Sequence, residues 1–240
     1  MLGLFNRKKL PPLKVDLHSH LIPGIDDGCK TMEDTLSLLT RLSEAGIEKV
    51  YTTPHIAMEF YPNTPEIILS GLKEVRKAIE KHRINIKIEA AAEYYMDQHF
   101  LRMLKEDQPL LTLQDQYLLF ETPFLNKPPF FDEVIFQMTA KGYIPIFAHP
   151  ERYQYLGEEP DLLKSLKERK VLLQVNAGSL IGYYSKDIKK TAFKMLKNNM
   201  IDFLGSDIHN RRHLDAFISF RGTGDYQKVI KAGVLNDRLL

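Results

Sequence analysis

Short apolar runs alternate with longer stretches of helical period along the whole chain, and this alternation limits the fold more than any other feature. Apolar runs at 13–17, 47–53, 84–91, 117–120, 144–148, 171–175 and 201–204 read as strands. Helical patterns fall at 31–45, 64–83, 98–105, 131–141, 161–169 and 185–198, with a further one at 225–232. Local signals mark their ends. Thr31 is an N-cap with Asp34 three residues on, Pro65 stands just inside a helix start, and Gly46 and Gly142 follow helix ends. Strands that each lead into a crossover make a parallel sheet. Seven such units point to a barrel, with an open doubly wound sheet as the alternative. No Ser/Gly linker interrupts the series, so one domain is expected over 13–240, behind a tail at 1–12.

The polar residues at the strand ends narrow the function. The first strand runs into His18 and His20, the second into His55, the third into Glu93 and the fourth into Glu121. The fifth runs into His149, and the seventh into Asp207 and His209. In a parallel barrel these ends surround one mouth. His18 and His20 are two residues apart, as are Asp207 and His209, so on extended backbone each pair points the same way and can grip one ion. Asp27, before Gly28 in the first loop, adds a carboxylate; turn formation by Asp26 and Asp27 is the alternative there. Imidazole mixed with carboxylate suits manganese, iron or zinc, and the lack of cysteine ligands argues against a structural zinc site. His82, His99 and His213 fall in or beside helical patterns and read as surface residues.

Nine ligands exceed what one or two ions need; three ions would take about three each and keep positions open for water and substrate. Three divalent ions bring six positive charges against four carboxylates, a net of about +2 that suits a phosphate dianion. They would also lower the pKa of a bound water to roughly 7 and so supply a nucleophile. Arg152, Arg211 and Arg212 stand close to ligands and offer two-bond contacts to phosphate oxygens. Other phosphatase chemistries fail on the text. The only cysteine is Cys29, and the sixth residue after it is Thr35 where a cysteine phosphatase needs arginine. No phosphate-binding P-loop and no G-x-S-x-G elbow occur.

Lys plus Arg is 33 and Asp plus Glu 31, which gives no global field for nucleic acid. A single cysteine excludes an internal disulfide and fits a reducing, cytoplasmic setting. No eighteen-residue apolar run exists, so no transmembrane segment is expected; Arg7, Lys8 and Lys9 offer at most a weak touch on an anionic membrane surface.

The segments Asp16-Leu-His-Ser-His-Leu-Ile-Pro-Gly-Ile-Asp-Asp-Gly28, Thr53-Pro-His55, Ala92-Glu93, Glu121-Thr-Pro123, Ala148-His-Pro-Glu-Arg-Tyr153 and Gly205-Ser-Asp-Ile-His-Asn210 resemble the PHP (polymerase and histidinol phosphatase) superfamily. More narrowly, the chain resembles the bacterial manganese-dependent protein-tyrosine phosphatases of capsule and exopolysaccharide synthesis. The resemblance implies a distorted (β/α)7 TIM-like barrel with three divalent ions, manganese first among manganese, iron and zinc. One ion would take His18, His20, Glu93 and Asp207; a second would share Glu93 and take Glu121 and His149; the third would take Asp27, His55 and His209. Arg152, Asp207 and His209 would carry catalysis, and Arg152 would contact phosphate. Residues 211–213 depart from the longer Gly- and Pro-containing loop of the family, which leaves the second phosphate-binding arginine open between Arg211 and Arg212. The implied partner is a phosphotyrosine protein, the Tyr-rich tail of a bacterial tyrosine kinase. A small-molecule phosphomonoesterase such as histidinol phosphatase is the alternative, and no nucleic-acid partner is expected. The segment 123–131, rich in Pro and Phe, could receive an aromatic ring near the mouth or pack the following helix.

Overall fold

The computed structural model describes residues 12–159 and 161–240. The expected tail at 1–12, with its basic residues, lies outside the described residues apart from Pro12. In chain order the strands are β1 (Val15–Asp16), β2 (Lys49–Thr52), β3 (His55–Ile56), β4 (Lys87–Ala90), β5 (Glu93–Tyr95), β6 (Tyr117–Glu121), β7 (Ile144–Ala148), β8 (Leu172–Asn176) and β9 (Phe203–Gly205). All pairings are parallel, in the orders β1-β2-β4 and β3-β5-β6-β7-β8-β9.

The nine strands occupy seven positions. β2 and β3 are one strand interrupted at Thr53-Pro54, where proline has no N–H to give the ladder. β4 and β5 are interrupted beside it at Ala91-Ala92. Bonds from Ala91 N to Thr52 O (3.0 Å) and from Glu93 N to Pro54 O (3.1 Å) carry the pairing across both breaks. The sequence reading treats each pair as one strand ending before its ligand; the break turns His55 and Glu93 into the first residues of a new short strand.

The sheet closes into a distorted (β/α)7 barrel, and the seam is where the distortion lies. β1 and β9 share no ladder of their own. At the top, Ser19 bridges Ile208, with His20 N bonded to Ile208 O (2.8 Å) and Asp207 N to His18 O (2.9 Å). In the middle, the Asp16 carboxylate accepts from Ser206 N (3.0 Å) and from the Ser206 hydroxyl. At the bottom, the buried Asn236 side chain substitutes for a strand partner. Its Nδ2 donates to Val15 O (3.1 Å) and Leu204 O (2.8 Å), and its Oδ1 accepts from Leu204 N (3.0 Å). The missing ladder explains why β1 has two residues where the apolar run predicts five.

The helices are α1 (Met32–Glu44), α2 (Pro65–His82), α3 (Gln98–Lys105), α4 (Phe131–Ala140), α5 (Tyr155–Glu158), α6 (Leu162–Glu168), α7 (Ala177–Ile181), α8 (Lys186–Lys197), α9 (Arg211–Arg221) and α10 (Gly224–Ala232). α1 starts on a capping box between Thr31 and Asp34, and α2 starts with Thr64 as cap and Pro65 at its first position. α2 buries Ile68, Leu72, Val75 and Ile79, one stripe at helical spacing. α5, α7 and α9 are not among the helices the spacing predicts. α5 and α7 are too short to show a period, and α9 opens on the polar run Arg211-Arg212-His213, although Asn210 caps it and Leu214, Phe217 and Phe220 line its buried face. No helix among the described residues is long and apolar enough to cross a membrane.

Strand side chains alternate between two cores. Val15, Leu17, Tyr51, Leu119, Ile146 and Phe203 fill the barrel interior, closed below by Leu113 and Leu239. Val50, Ile88, Leu118, Phe120, Phe147 and Leu204 face the surrounding helices. The interior packing forms the floor on which the strand-end residues stand.

Asn236→Ala should remove the bottom of the seam. It strips partners from two buried carbonyls and one buried N–H, each of which water cannot easily reach. A stability loss on the order of 3 kcal/mol is expected, read as a lower urea midpoint with an unchanged slope. An unchanged midpoint would show that the seam does not depend on this side chain.

Candidate metal centre

All nine residues expected as ligands stand at the same end of the barrel. His18 and His20 follow β1, His55 opens β3, Glu93 opens β5, Glu121 ends β6, His149 follows β7, and Asp207 and His209 follow β9. Asp27 reaches in from the first loop and is half exposed at the rim. Donor atoms from these residues gather in four overlapping sets: His20, Asp27, His55 and His209; His18, His20 and Asp207; His18, Glu93 and His149; and His55, Glu93 and Glu121. The atoms of each set lie within 4.8 Å of one another, and His18, His20, His55 and Glu93 each belong to two sets.

Glu93 is fully buried at the centre. Its Oε2 lies 3.1 Å from His18 Nε2, 3.4 Å from His20 Nε2 and 3.2 Å from His55 Nδ1, and its Oε1 lies 2.9 Å from His149 Nε2. Burial alone would raise its pKa, but the surrounding imidazoles of His18 and His55 hold it well below the usual carboxylate range. The imidazoles respond in the opposite sense. Burial disfavours a charged His20, yet the Asp26 carboxylate outweighs this and pushes it up to about 10. Asp207 is held low by His18 and His209 against its own burial. The cluster therefore demands positive charge.

The residues behind the ligands decide what form that charge takes. His18 Nδ1 donates to Gln174 Oε1 (2.8 Å), Gln174 Nε2 donates to Asn176 Oδ1 (2.7 Å), and Asn176 Nδ2 donates to Asp207 Oδ2 (2.7 Å). His20 Nδ1 donates to Asp26 Oδ2 (2.7 Å). Both imidazoles thus carry their proton on Nδ1 and aim the Nε2 lone pair inward, where the two Nε2 atoms face each other at 3.3 Å. Two lone pairs facing each other beside carboxylates fit a cation between them. His55 Nδ1 is buried without a hydrogen bond of good geometry among the described residues, 3.0 Å from Glu121 Oε1, which fits the same reading. The donor set therefore suits divalent ions of the imidazole-and-carboxylate kind.

These supporting residues are what the sequence reading does not find. Asp26 is buried behind His20 rather than only shaping a turn, and its Oδ1 accepts from Gly28 N (2.9 Å). A Cβ on Gly28 would stand 2.3 Å from His20 O, so only glycine fits. Gln174 and Asn176 lie on β8, the one of the seven strand positions that supplies no candidate ligand. Their even spacing on one strand face is the signal that could have pointed to them.

The mouth above the centre is a cavity of about 480 Å³. Phe60, Tyr61 and Tyr95 line one side; Phe124, Tyr183 and Tyr184 line another. Arg152 stands between Phe124 and Tyr184, its guanidinium 4.7 Å and 4.5 Å from the ring centroids, with Nη1 3.1 Å from Asp207 Oδ2. Its neighbour Glu151 is no partner for it; that carboxylate accepts from Asn176 N (2.9 Å) and Ser179 Oγ (2.6 Å). Of the segment 123–131, Phe124 lines the mouth and Phe131 packs in the core. Arg211 and Arg212 are exposed in the first turn of α9, and neither lines the mouth. His82 is exposed on α2 and His99 sits on α3, but His213 corrects the surface reading. It is half-buried in the mouth, its Nδ1 2.8 Å from Asp207 O and its ring edge-on to Tyr183 and His209. Recognising the Asn210 cap would have turned His213 inward, one helical turn from His209. The buried Cys29 thiol is pushed up to about 11 by burial, which makes it a poor nucleophile.

Gln174→Ala should free His18 to choose either tautomer and break the chain to Asp207. Metal affinity should fall roughly ten- to hundredfold, measured by competition with a chelator of known affinity, with the circular dichroism spectrum retained. Wild-type affinity would show that the chain does not set His18.

Comparison with known proteins follows the same lines. Residues 14–216 match the family described as capsular polysaccharide synthesis, CpsB/CapC. The tyrosine-protein phosphatase YwqE of Bacillus subtilis is 32% identical over 197 residues, 82% of this chain and 77% of that protein. The tyrosine-protein phosphatase CpsB of Streptococcus agalactiae is 26% identical over 201 residues, 82% of this chain and 83% of that protein. A solved structure from work on YwqE and on CpsB of Streptococcus pneumoniae, described as metal-dependent tyrosine phosphatases, superposes with a TM-score of 0.80 at 28% identity, over 94% of each chain. Histidinol phosphate phosphatase of Lactococcus lactis superposes at 0.55 and 14% identity, over 92% of this chain and 94% of that one, and shares the fold alone. The match at 14–216 spans most of the sequence and takes in all nine candidate ligands at the strand ends and in the first loop: the chain belongs to the CpsB/CapC family of capsular polysaccharide synthesis proteins.

Proposed function

We propose that this protein is a metal-dependent phosphatase that hydrolyses phosphotyrosine on a protein. The observation that carries this reading is the convergence of nine candidate ligands at one end of the barrel, six of them lining a single cavity together with one clamped arginine. Relatives named as tyrosine-protein phosphatases support the substrate class. Three divalent ions, manganese before iron or zinc, would be held by His18, His20, Glu93 and Asp207, by Glu93, Glu121 and His149, and by Asp27, His55 and His209. Ions held by these residues would supply Lewis acidity and a water activated at neutral pH.

The protein's own groups do the rest. Arg152 binds phosphate: Asp207 and two aromatic rings hold its guanidinium over the cavity, and its remaining N–H groups can grip two phosphate oxygens. Asp207 and His209 join the ion sites to the mouth, where Asp207 also orients Arg152. The aromatic sides of the cavity exclude water and suit a phenyl ring between them. We place the protein in the cytoplasm, acting on the Tyr-rich tail of a bacterial tyrosine kinase that governs capsule or exopolysaccharide synthesis. The small-molecule alternative draws on likeness of fold only.

One metal-loaded sample assayed on a phosphotyrosine peptide, histidinol phosphate and single-stranded DNA tests the reading. The peptide should be turned over far better than the others, and exhaustive chelation should abolish turnover and lower Tm, because the clustered carboxylates lose their counter-charge. Full activity after metal removal, checked by elemental analysis, would overturn it. Arg152→Ala should keep its metal, since Asn176 still holds Asp207, yet lose about a hundredfold in kcat/KM on the peptide. Arg152→Lys should recover only part of this, because a point charge cannot form the two-bond fork. A wild-type rate for Arg152→Ala would remove the clamp from the mechanism.

A further inference from the structure

The mouth does not end at the ligands. Between the first loop and the start of α9 it runs into a second cleft of about 460 Å³, and the two share Asp27, His209 and Asn210. The cleft adds Lys30, Asp34 and Arg211. Its charges are not balanced outward. Asp27 turns its carboxylate towards His55 Nε2 (3.4 Å) and His209 Nε2 (3.3 Å). Asp34 is committed to the α1 capping box, with Oδ2 2.8 Å from the Thr31 hydroxyl. Among the described residues, Lys30 is tethered by a backbone carbonyl alone, Asp26 O at 3.1 Å. Arg211 is exposed and makes no ion pair or side-chain hydrogen bond with the described residues. Two cations therefore face solvent in a cleft that opens directly from the metal centre.

We propose that the mouth and this cleft form one groove for an extended polypeptide, and that Arg211, with Lys30, contacts an anionic side chain next to the phosphotyrosine. The proposal rests on the phosphatase reading and names what that substrate carries beside its phosphate. Arg211 does not line the mouth, so it does not compete with Arg152 for the phosphate being removed. An extended chain advances about 3.3 Å per residue, so a neighbour one or two positions along reaches a cleft that shares a wall with the mouth. An acidic residue and a second phosphotyrosine offer the same chemistry, and the assay separates them.

The test is steady-state kinetics on phosphotyrosine peptides flanked by Asp and Glu, by Ala, by Lys, or by a second phosphotyrosine, with free phosphotyrosine as reference. The wild type should favour an anionic flank over Ala by up to about fivefold in kcat/KM, the scale of an exposed ion pair, and the preference should fade as salt rises. Arg211→Ala should abolish the preference through KM, keep its metal, and turn over free phosphotyrosine as the wild type does. Arg211→Glu should reverse it in favour of the Lys peptide, and Lys30→Ala should weaken it. Which anionic flank is preferred tells acidic side chain from second phosphate. A wild type indifferent to the flank overturns the proposal while leaving the phosphatase reading intact. Equal slowing of every substrate, free phosphotyrosine included, also overturns it, because Arg211 would then act on the metal centre or the fold. A wild type that hydrolyses no phosphotyrosine substrate would sink both.

Discussion

A buried carboxylate stays ionised only when positive charge or hydrogen-bond donors surround it, and Glu93, fully buried among imidazoles, imposes the first condition on the whole upper end of the barrel. Four imidazoles, delivered by three strand positions, point at its two oxygens. Each must arrive from its own strand in the right register, because a slip of one residue would turn the side chain to the opposite face. The two-residue spacings of His18 with His20 and of Asp207 with His209 follow from that demand. So do the interruptions at Thr53-Pro54 and Ala91-Ala92, which restart two strands on His55 and Glu93. The backbone is bent to the same end at His149 and Asp207, whose φ angles of 34° and 52° place non-glycine residues in the left-handed region. Such conformations cost on the order of 1 kcal/mol or more each and persist where surrounding structure holds them.

The ligands are joined to one another by the strand that contributes none. Gln174 and Asn176 link His18 to Asp207, and Asp207 in turn holds Arg152. Glu151, on the turn that carries Arg152, bonds back to the Asn176 backbone. The proposed metal-binding and phosphate-binding groups are thus members of one hydrogen-bonded network in a dry interior, where each bond strengthens the next and an unmet partner is expensive. Gly205 is part of the same arrangement, since a Cβ there would meet Gln174 Nε2 at 2.5 Å.

Much of this was legible in the chain. The alternation of apolar runs and helical patterns predicts the parallel barrel, and α3 and β7 fall at the expected residues. All nine proposed ligands meet at one end, because strand ends of a parallel barrel have no other place to go. What was not legible follows from physical causes. Closure depends on Asn236, some 30 residues beyond β9, acting across the seam on Val15 and Leu204, and no local pattern announces a side chain that replaces a ladder. α9 was hidden by the polar run that opens it, and with it the inward position of His213. Asp26 and Gln174 bind to ligands rather than to ions, so a reading that counts ligand types passes over them. The arginines could not be ranked by proximity in sequence: Arg152 and Arg211 each stand within three residues of a ligand, but a turn folds one over the cavity and a helix start carries the other outside it.

That difference in placement implies a difference in task. Arg152 is held before substrate arrives, between two rings and against Asp207, with less than a quarter of its side chain exposed. Little side-chain entropy remains to be lost on binding, so in the proposed role its effect on the reacting phosphate would be large. Arg211 is free in solvent, where a new ion pair must order a long side chain and compete with salt. The contact proposed for it would discriminate between substrates by only a few-fold and contribute nothing to the chemical step. On the proposed reading, a site that must be powerful at the phosphate and only moderately selective beside it would be served by one arginine of each kind, the first folded over the cavity by the turn after β7 and the second carried on the rim by the start of α9.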